Sequence, residues 1–243
     1  VDSTNNWLSR LPIDQQHAHA VLAEAQTGGR GRRQRSWHSP AGGNVYFSLG
    51  WSFERTDAGL AALPLLVGIA LCRALAGCGL EGHGIKWPND VLVAGKKLAG
   101  ILVEMQSAPE GPAVAVFGSG INVRMRSPGK FDAGVPIDRP WTDLAASLPA
   151  DRSLPGRNRL AAALLDELLP ALAEFQERGF EPFHRAWQEW DLLDGRRVEL
   201  DLDGGRVVAG QACGVDTGGG LRLERESGGL QVFHSGEVRV RRG

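Results

Sequence analysis

The chain has 243 residues, which is enough for one large domain or for one domain with a small additional module. Hydrophobic residues make up 42% and charged residues 23%, as in an ordinary globular protein. The formal net charge of −1 argues against a protein whose main task is to bind DNA or RNA, because such proteins usually have a basic excess. Three cysteines without paired spacing argue against a disulfide scaffold or a zinc site and indicate a reducing compartment. We recognise no signal peptide and predict no apolar run of membrane-spanning length, so we expect a cytoplasmic protein without a membrane partner.

The first half of the chain has the pattern of strands around one long helix. Residues 58–77 are rich in Leu and Ala and too long for a strand, so we predict a buried helix with Pro64 in its first turns, where proline is tolerated. Gly77 and Gly79 are expected to end this helix. Six strands are predicted, over residues 20–25, 44–51, 85–87, 91–93, 97–105 and 113–117.

The second half changes character twice. Residues 124–141 contain Gly and Pro and predict a mobile loop. Residues 157–178 have helical spacing of Leu and Ala, with a kink expected at Pro170, and a short helix is predicted over 182–190. Five valine-rich strands separated by glycine turns follow, over residues 197–202, 206–213, 221–226, 230–234 and 237–241. This pattern predicts a domain of strands and helices over residues 1–192 and a small all-β barrel or sandwich over residues 193–243.

A glycine- and arginine-rich segment over residues 26–37 is the most informative part of the sequence. Glycine lets backbone amides approach a ligand closely, and arginine offers a planar fork of donors to phosphate or carboxylate. A dinucleotide fingerprint would need a third glycine where Gln34 stands, so this segment does not match one. Three interpretations remain open: a loop that closes over an anionic small molecule, a loop that binds nucleic acid, or a solvated surface turn.

Two further segments follow predicted strands. One is Lys86-Trp87-Pro88-Asn89-Asp90, with Lys97 on the returning strand, and the other is Gly118-Ser119-Gly120-Ile121-Asn122. Together with the arginine segment they supply cations for phosphate, oxygen ligands for Mg²⁺ and glycines for close approach. A covalent nucleophile is not recognised, because Ser119 lacks the spacing of a nucleophile elbow.

The order and spacing of five motifs resemble those of bacterial biotin–protein ligases, and the similarity extends to the C-terminal Ser235-Gly236-Glu237-Val238. The motifs are Asp2-Ser-Thr-Asn5, Glu24-Ala-Gln-Thr-Gly-Gly-Arg-Gly-Arg-Arg33, Lys86-Trp-Pro-Asn-Asp90, Lys97-Leu-Ala-Gly-Ile-Leu-Val-Glu104 and Gly118-Ser-Gly-Ile-Asn122. Each motif alone would be a weak signal, whereas five in register make a chance similarity improbable.

The resemblance implies an α+β fold, in which a mixed α/β catalytic domain of the biotin/lipoate ligase type precedes a small SH3-like barrel. It also implies an acyl-adenylate-forming ligase that uses ATP and Mg²⁺, with biotin as substrate and no tightly bound prosthetic group. Biotin would react with ATP to give biotinyl-5′-AMP and pyrophosphate, and a lysine of a biotin carboxyl carrier domain would then take the biotinyl group. A homodimer is possible in this family. Because the first motif begins at Asp2, we expect no N-terminal helix-turn-helix, no DNA partner and no repressor function.

The resemblance also assigns roles to residues. It implies that the following bind biotin: Ser3, Thr4, Asn5, Gln26, Arg30, Gly31, Arg32, Lys97, Gly100 and Gly118. It implies that the following bind the nucleotide: Arg32, Arg35, Trp37, Lys86, Asn89 and Asn122. Lys97 and Arg32 are the implied catalytic residues, and Asn89 and Asp90 are candidates for Mg²⁺.

Several of these residues have ordinary structural alternatives. Ser3 is a suitable helix N-cap, Trp37 a suitable core residue, and Lys86 and Lys97 could be solvated charges at strand ends. The basic motif departs from the family at Gln34, where glycine is usual, which restricts the loop backbone. The alternative functions are a lipoate–protein ligase, which has a similar fold and also forms an acyl-adenylate, and a nucleic-acid-binding regulator that uses the arginine segment.

Overall fold

A computed structural model describes residues 1–54, 59–107, 112–125, 140–202, 205–225 and 228–241. Two antiparallel sheets organise the chain, the first with strand order β1-β2-β6-β5-β4-β3. Its strands are β1 (Ala20–Ala23), β2 (Val45–Phe53), β3 (His83–Lys86), β4 (Asp90–Val93), β5 (Lys96–Ser107) and β6 (Ala113–Ile121). All six predicted strands are therefore confirmed, with ends that shift by a few residues.

In the described residues five α-helices accompany the sheets: α1 (Thr4–Ser9), α2 (Leu63–Gly77), α3 (Leu144–Ser147), α4 (Arg157–Arg178) and α5 (His184–Trp190). The helices α2 and α4 pack against each other and cover one face of the first sheet, where Phe47, Leu49 and Phe117 are buried. Successive strand residues point to opposite faces, so Ser48 and Gly118 face the other side. There α1 packs against β1, β2 and β6.

The helix α2 corrects two expectations. It begins at Leu63 and not at residue 58, because Leu60–Ala62 form a 3-10 turn, and residues 55–58 lie outside the described part of the chain. The segment Leu60–Gly77 is also apolar enough over 18 residues to satisfy the length and composition of a membrane span, with a mean hydropathy of 2.0, so the expectation that no such run exists was wrong. The structure explains the composition differently: α2 is a core helix that packs against both the first sheet and α4.

The predicted helix over residues 157–178 is confirmed at both ends. It continues through Pro170, which lies on the exposed side, where water can bond the carbonyl group that proline leaves without a backbone partner. The expected loop over residues 124–141 lies mostly outside the described residues, since 126–139 are not described.

The second sheet contains β7 (Arg197–Asp201), β8 (Val207–Val215), β9 (Leu221–Arg225), β10 (Leu230–Phe233) and β11 (Glu237–Val240). The strands pair in the order β10-β9-β8-β7-β11, so the all-β module is confirmed, while pairing between described strands does not close it into a barrel. A register shift in β8 between Ala212 and Val215 bends the sheet, as bulges in small barrels do.

The two sheets share one buried apolar cluster through α2 and α5. A buried hydrogen bond also joins them, because the indole Nε1 of Trp87 donates to the carbonyl oxygen of Gly219 at 3.0 Å. Residue Gly219 has a φ of +80°, and a side chain there would collide with Ala62. The second sheet is therefore held against the turn that follows β3.

Candidate active site

A cavity opens between α1, the arginine segment and the first sheet, and it contains about 480 Å³ of space including its mouth. Twelve of the residues proposed for the site line it: Ser3, Thr4, Asn5, Gln26, Arg30, Gly31, Arg32, Trp37, Asn89, Lys97, Gly100 and Gly118. The three sequence segments that carried the functional prediction therefore meet in one place, although they are far apart in the chain.

Three glycines form the floor of the cavity and let other elements lie directly on the sheet. A side chain at Gly118 would overlap the Asn5 amide, and one at Gly120 would overlap the Trp37 indole. A Cβ atom at Gly100 would lie 3.0 Å from both Trp37 and the Nζ atom of Lys97. The close approach of α1 and Trp37 to β5 and β6 thus depends on the absence of these side chains.

One end of the cavity is a buried, neutral set of hydrogen-bonding groups. Ser3 caps α1, and the next residue, Thr4, donates its backbone N–H to Oε1 of Gln26 at 2.8 Å. Nε2 of Gln26 donates to the Ser39 hydroxyl at 3.0 Å. The Ser48 hydroxyl lies 2.7 Å from the Thr4 hydroxyl and 2.6 Å from Oδ1 of Asn5. Such a set suits an uncharged ligand that has both N–H donors and a carbonyl acceptor.

The other end of the cavity is cationic through Arg32 and Lys97. Arg30 lies beside Asn5, because both contact Oε2 of Glu104. Arg30 pairs with Glu104 at 2.8 Å, and Arg32 donates to Oδ1 of Asn89 at 3.3 Å. Nζ of Lys97 lies 2.7 Å from Oδ1 of Asp90 and 5.0 Å from the centre of the Trp37 ring. The two ends together could hold a ligand with a neutral polar head and a negatively charged tail.

The backbone of Lys97 is held by residues 140–142, with which it forms a parallel bridge at Trp141. Its N–H donates to the Pro140 carbonyl at 2.9 Å, and its carbonyl accepts from the Thr142 N–H at 3.0 Å. The buried Asn122 side chain donates to the Thr142 carbonyl at 3.1 Å. The alternative that Lys97 is a loosely solvated lysine at a hairpin end is therefore not supported by its surroundings.

The arginine segment has a defined backbone, in which Gln34 has a left-handed conformation that favours glycine. Its chain turns back on itself, since the N–H of Gly31 donates to the Arg35 carbonyl at 2.7 Å. Arg33 and Gln34 have φ angles of 55° and 57°, in the left-handed region where residues other than glycine pay about 1–2 kcal/mol. A glycine in place of Gln34 would adopt this conformation more easily.

Four residues proposed for the site do not line the cavity. Arg35 pairs with Glu237 of β11, with Nη1 at 3.2 Å from Oε1, and Arg33 reaches the same carboxylate at 3.5 Å. Asn122 is buried behind Lys97, and Lys86 lies at the end of β3. Asp90 follows the lining residue Asn89 in sequence and pairs with Lys97.

Sequence reasoning missed several lining residues: Phe47, Ile101, Leu102, Ser119 and Gly120. All five lie on predicted strands or in a quoted motif, but only the pairing of β2, β6 and β5 shows that these stretches of strand border one cavity. Glu104 was also missed, and the signal for it was its place at the end of a motif.

No nucleophilic thiol is available at this site. Burial raises the pKa of both Cys72 and Cys78, and neither thiol lines the cavity. Among the described residues no group of three His, Cys, Asp or Glu side chains could hold a metal ion. The hydrogen-bonding groups and cations of the lining can position a ligand and stabilise negative charge.

Comparison with known proteins gives the family. The sequence model of the Biotin/lipoate A/B protein ligase family matches residues 1–122, and that of the Biotin protein ligase C terminal domain matches residues 195–241. The chain is 36% identical over 242 residues to the Bifunctional ligase/repressor BirA of Salmonella typhimurium, covering 99% of the chain and 72% of that protein. It is 35% identical to the Biotin--[acetyl-CoA-carboxylase] ligase of Paracoccus denitrificans, covering 98% of the chain and 96% of that protein.

A solved structure agrees with these sequence matches. The biotin protein ligase from Aquifex aeolicus in complex with biotin and ATP superposes with a TM-score of 0.80 and 28% identity, covering 100% of this chain and 96% of the other. The cavity, the two matched family models and these relatives agree, and the chain belongs to the biotin protein ligase family.

Proposed function

We propose that this chain uses ATP to join biotin to a lysine of a biotin carboxyl carrier domain, by way of biotinyl-5′-AMP. The observation that carries the proposal is the two-ended cavity, with neutral hydrogen-bonding groups at one end and Arg32 and Lys97 at the other. The ureido ring of biotin has two N–H donors and one carbonyl acceptor, which suits the neutral end. Its valerate carboxylate would reach the cationic end.

In the first step a carboxylate oxygen of biotin attacks the α-phosphorus of ATP, and the bond from that phosphorus to the β-phosphate oxygen breaks to release pyrophosphate. Two anions must approach each other, so the reaction needs fixed positive charge where negative charge accumulates. Lys97 and Arg32 are the proposed catalytic residues because they lie at the cationic end. The Asp90 carboxylate holds Nζ of Lys97 at 2.7 Å, which keeps the ammonium group at the cavity wall before substrate binds.

The nucleotide would lie over Trp37, whose indole covers Gly120. The ammonium group of Lys97 lies 5.0 Å from the centre of this ring. We assign Arg32 and Asn89 to the phosphates. Arg35 would have to leave Glu237 to reach them, and Lys86 would have to reach past the turn after β3. Asn122 would act indirectly, because it is buried and helps to hold the backbone around Lys97.

Mg²⁺ is assigned to Asn89 and Asp90, which offer one amide and one carboxylate oxygen beside the cavity. This donor set suits an ion that keeps waters and takes phosphate oxygens as its other ligands. Both oxygens accept from cations here, since Oδ1 of Asn89 contacts Arg32 and Oδ1 of Asp90 contacts Lys97. When bound, the ion would neutralise part of the phosphate charge.

In the second step the amine of the carrier lysine attacks the carbonyl carbon of the mixed anhydride, and AMP leaves. The adenylate is sensitive to water, and residues 28–36 would cover it while the carrier domain approaches. We also propose that residues 1–192 form the catalytic domain and residues 193–243 the second domain.

Cytoplasmic location and homodimer formation remain predictions. Beyond Ile101, β5 pairs only with β6 among the described strands, because its pairing with β4 ends at Gly100. An exposed edge of this kind can pair with another chain.

The two alternatives are disfavoured by specific contacts. The dithiolane ring of lipoate has no N–H or carbonyl group, so it would gain no hydrogen bond from the polar groups of Thr4, Asn5 and Gln26, whereas the ureido ring of biotin could use their remaining hydrogen-bonding capacity. A nucleic-acid interface would need arginines directed to solvent, whereas Arg30 pairs with Glu104, and Arg33 and Arg35 with Glu237.

The experiment supplies a purified carrier domain with ATP, Mg²⁺ and either biotin or lipoate, and follows the intact mass of the carrier. We expect biotinylation of one lysine and no lipoylation. Lipoylation at the higher rate would favour the lipoate ligase. Retention on DNA with a steep dependence on salt, and no carrier modification, would favour the nucleic-acid-binding function.

A further inference from the structure

Glu104 connects the two walls of the cavity through a single carboxylate oxygen. Its Oε2 accepts from Nδ2 of Asn5 at 2.8 Å and from Nη2 of Arg30, also at 2.8 Å. These partners are 99 and 74 residues away in sequence, one on α1 and the other on the arginine segment. Glu104 itself lies on β5, so a rigid strand holds both walls.

The carboxylate also determines which way the neighbouring groups donate. A carboxylate only accepts, so the Asn5 side chain must turn its NH₂ group toward Glu104 and its oxygen toward Ser48. That oxygen only accepts, so the Ser48 hydroxyl donates its single hydrogen to it, over 2.6 Å. Ser48 then has no hydrogen left for the Thr4 hydroxyl 2.7 Å away, so the Thr4 hydroxyl is the donor in that contact, in preference to its longer contact of 3.2 Å with Oε1 of Gln26. One charge therefore orders three neutral groups at the end of the cavity.

We propose that Glu104 is a positioning residue that determines biotin affinity, by ordering the hydrogen-bond donors and acceptors of Asn5, Ser48 and Thr4 and by tethering Arg30. The inference rests on the proposed function, because it assigns the ureido ring to this end of the cavity. A ligand with fixed donors and acceptors binds best to a pocket whose pattern is already fixed. Glu104 does not line the cavity and is not a catalytic residue.

A glutamine at position 104 would remove both effects while keeping the size of the side chain. Its amide can donate or accept, so the Asn5 amide would be free to rotate, and the hydroxyls of Ser48 and Thr4 could reverse their direction. The charge-assisted contact to Arg30 would become a weaker neutral one. The arginine segment would then close over bound biotin less often.

The test compares Glu104→Gln with Glu174→Gln, a matched control that removes the charge from another Arg–Glu pair, the one between Glu174 and Arg178 on α4. We expect the biotin dissociation constant of Glu104→Gln to rise roughly 10-fold, as for the loss of one charge-assisted hydrogen bond. The adenylation rate at saturating biotin should stay within about threefold of wild type, because Lys97 and Arg32 are untouched. Glu174→Gln should match wild type in both measurements.

An unchanged dissociation constant would overturn the proposal, as would an equal loss in Glu174→Gln. A lowered melting temperature with unchanged affinity of the folded protein would also overturn it, since that is the result of a purely structural role. A double-mutant cycle with Arg30→Met tests whether Glu104 acts in part through Arg30. Arg30→Met should weaken biotin binding less in the Glu104→Gln background than in wild type, and fully additive effects of the two substitutions would contradict the tethering of Arg30. If the wild-type protein forms no biotinyl-AMP, the proposed function has failed instead, so the two failures are distinguishable.

Discussion

Replacing Lys97 by methionine separates catalysis from binding at this site. Methionine keeps most of the apolar stem but deletes the ammonium group that lies 2.7 Å from Asp90 and 5.0 Å from the Trp37 ring centre. Negative charge is highest at the reacting phosphorus in the transition state, so the loss should appear mainly in the rate of adenylation. The neutral groups that are proposed to hold the ureido ring remain in place.

The substitution Lys97→Met should have two free-energy costs, one in the activation barrier of adenylation and one in the stability of the fold. Loss of one electrostatic stabiliser costs about 3 kcal/mol in the barrier, which is a fall of at least 100-fold in adenylation rate. Asp90 also loses its partner. The pair attracts by about 6 kcal/mol at an effective dielectric constant of about 20, before desolvation is subtracted. The side chains are 23% and 12% exposed, so we discount the 3–5 kcal/mol that breaking a fully buried pair costs to roughly 1–3 kcal/mol of unfolding free energy.

The assay measures both half-reactions on one preparation: pyrophosphate release in a single turnover, and transfer from chemically supplied biotinyl-AMP to a carrier domain. Transfer should survive better than adenylation. Lys96→Met makes the same change at the neighbouring, exposed residue and should behave as wild type. The double variant Lys97→Met/Asp90→Asn should recover stability without recovering adenylation. Equal damage to both half-reactions would mean that Lys97 positions the adenylate generally, and damage to neither would refute its proposed role.

Three further predictions concern residues 28–36 of the arginine segment, the side chain of Arg32 and the buried carboxylate of Asp191. Amide hydrogens of residues 28–36 should exchange rapidly in the free protein and slowly with biotinyl-AMP, because the segment encloses the ligand; equal protection in both states would contradict loop closure. Arg32→Ala should speed release of the adenylate at least tenfold with little change in melting temperature, since Arg32 lies on a loop; an unchanged release rate would refute its role, and a large loss of stability would indicate a structural one. Burial raises the pKa of Asp191 to about 6, so the folded protein binds this proton more tightly than the unfolded chain does. The contribution of Asp191 to the unfolding free energy should therefore fall as pH rises from about 4 to about 6. Denaturant titrations of wild type and Asp191→Asn over this range measure it, and a difference that is constant with pH would contradict the assignment.

The sequence predicted the elements whose signals are local. The helix α4 has its predicted ends at residues 157 and 178, because the spacing of Leu and Ala is a local property. The hairpins around Asp90 and Lys97 were also predicted, since glycine and proline mark their turns. The beginning of α2 was wrong, because a uniformly apolar segment does not show where a 3-10 turn becomes a helix.

The site was predicted as a set of residues, but its contacts were not. The sequence did not indicate the partners of the arginine segment, in which Arg30 pairs with Glu104, and Arg33 and Arg35 pair with Glu237. Glu237 is 204 and 202 residues beyond these last two arginines, a separation that no local pattern can bridge. For the same reason the burial of Asn122 behind Lys97 became visible only with the paired strands.

Formation of the acyl-adenylate tests the central claim most directly. The protein is mixed with ATP, Mg²⁺ and either biotin or lipoate, without any carrier domain, and the products are identified by mass spectrometry. The two-ended cavity predicts biotinyl-AMP and pyrophosphate from biotin, and no lipoyl-AMP from lipoate at the same concentration. Lipoyl-AMP as the main product, or no acyl-AMP from either acid, would contradict the account.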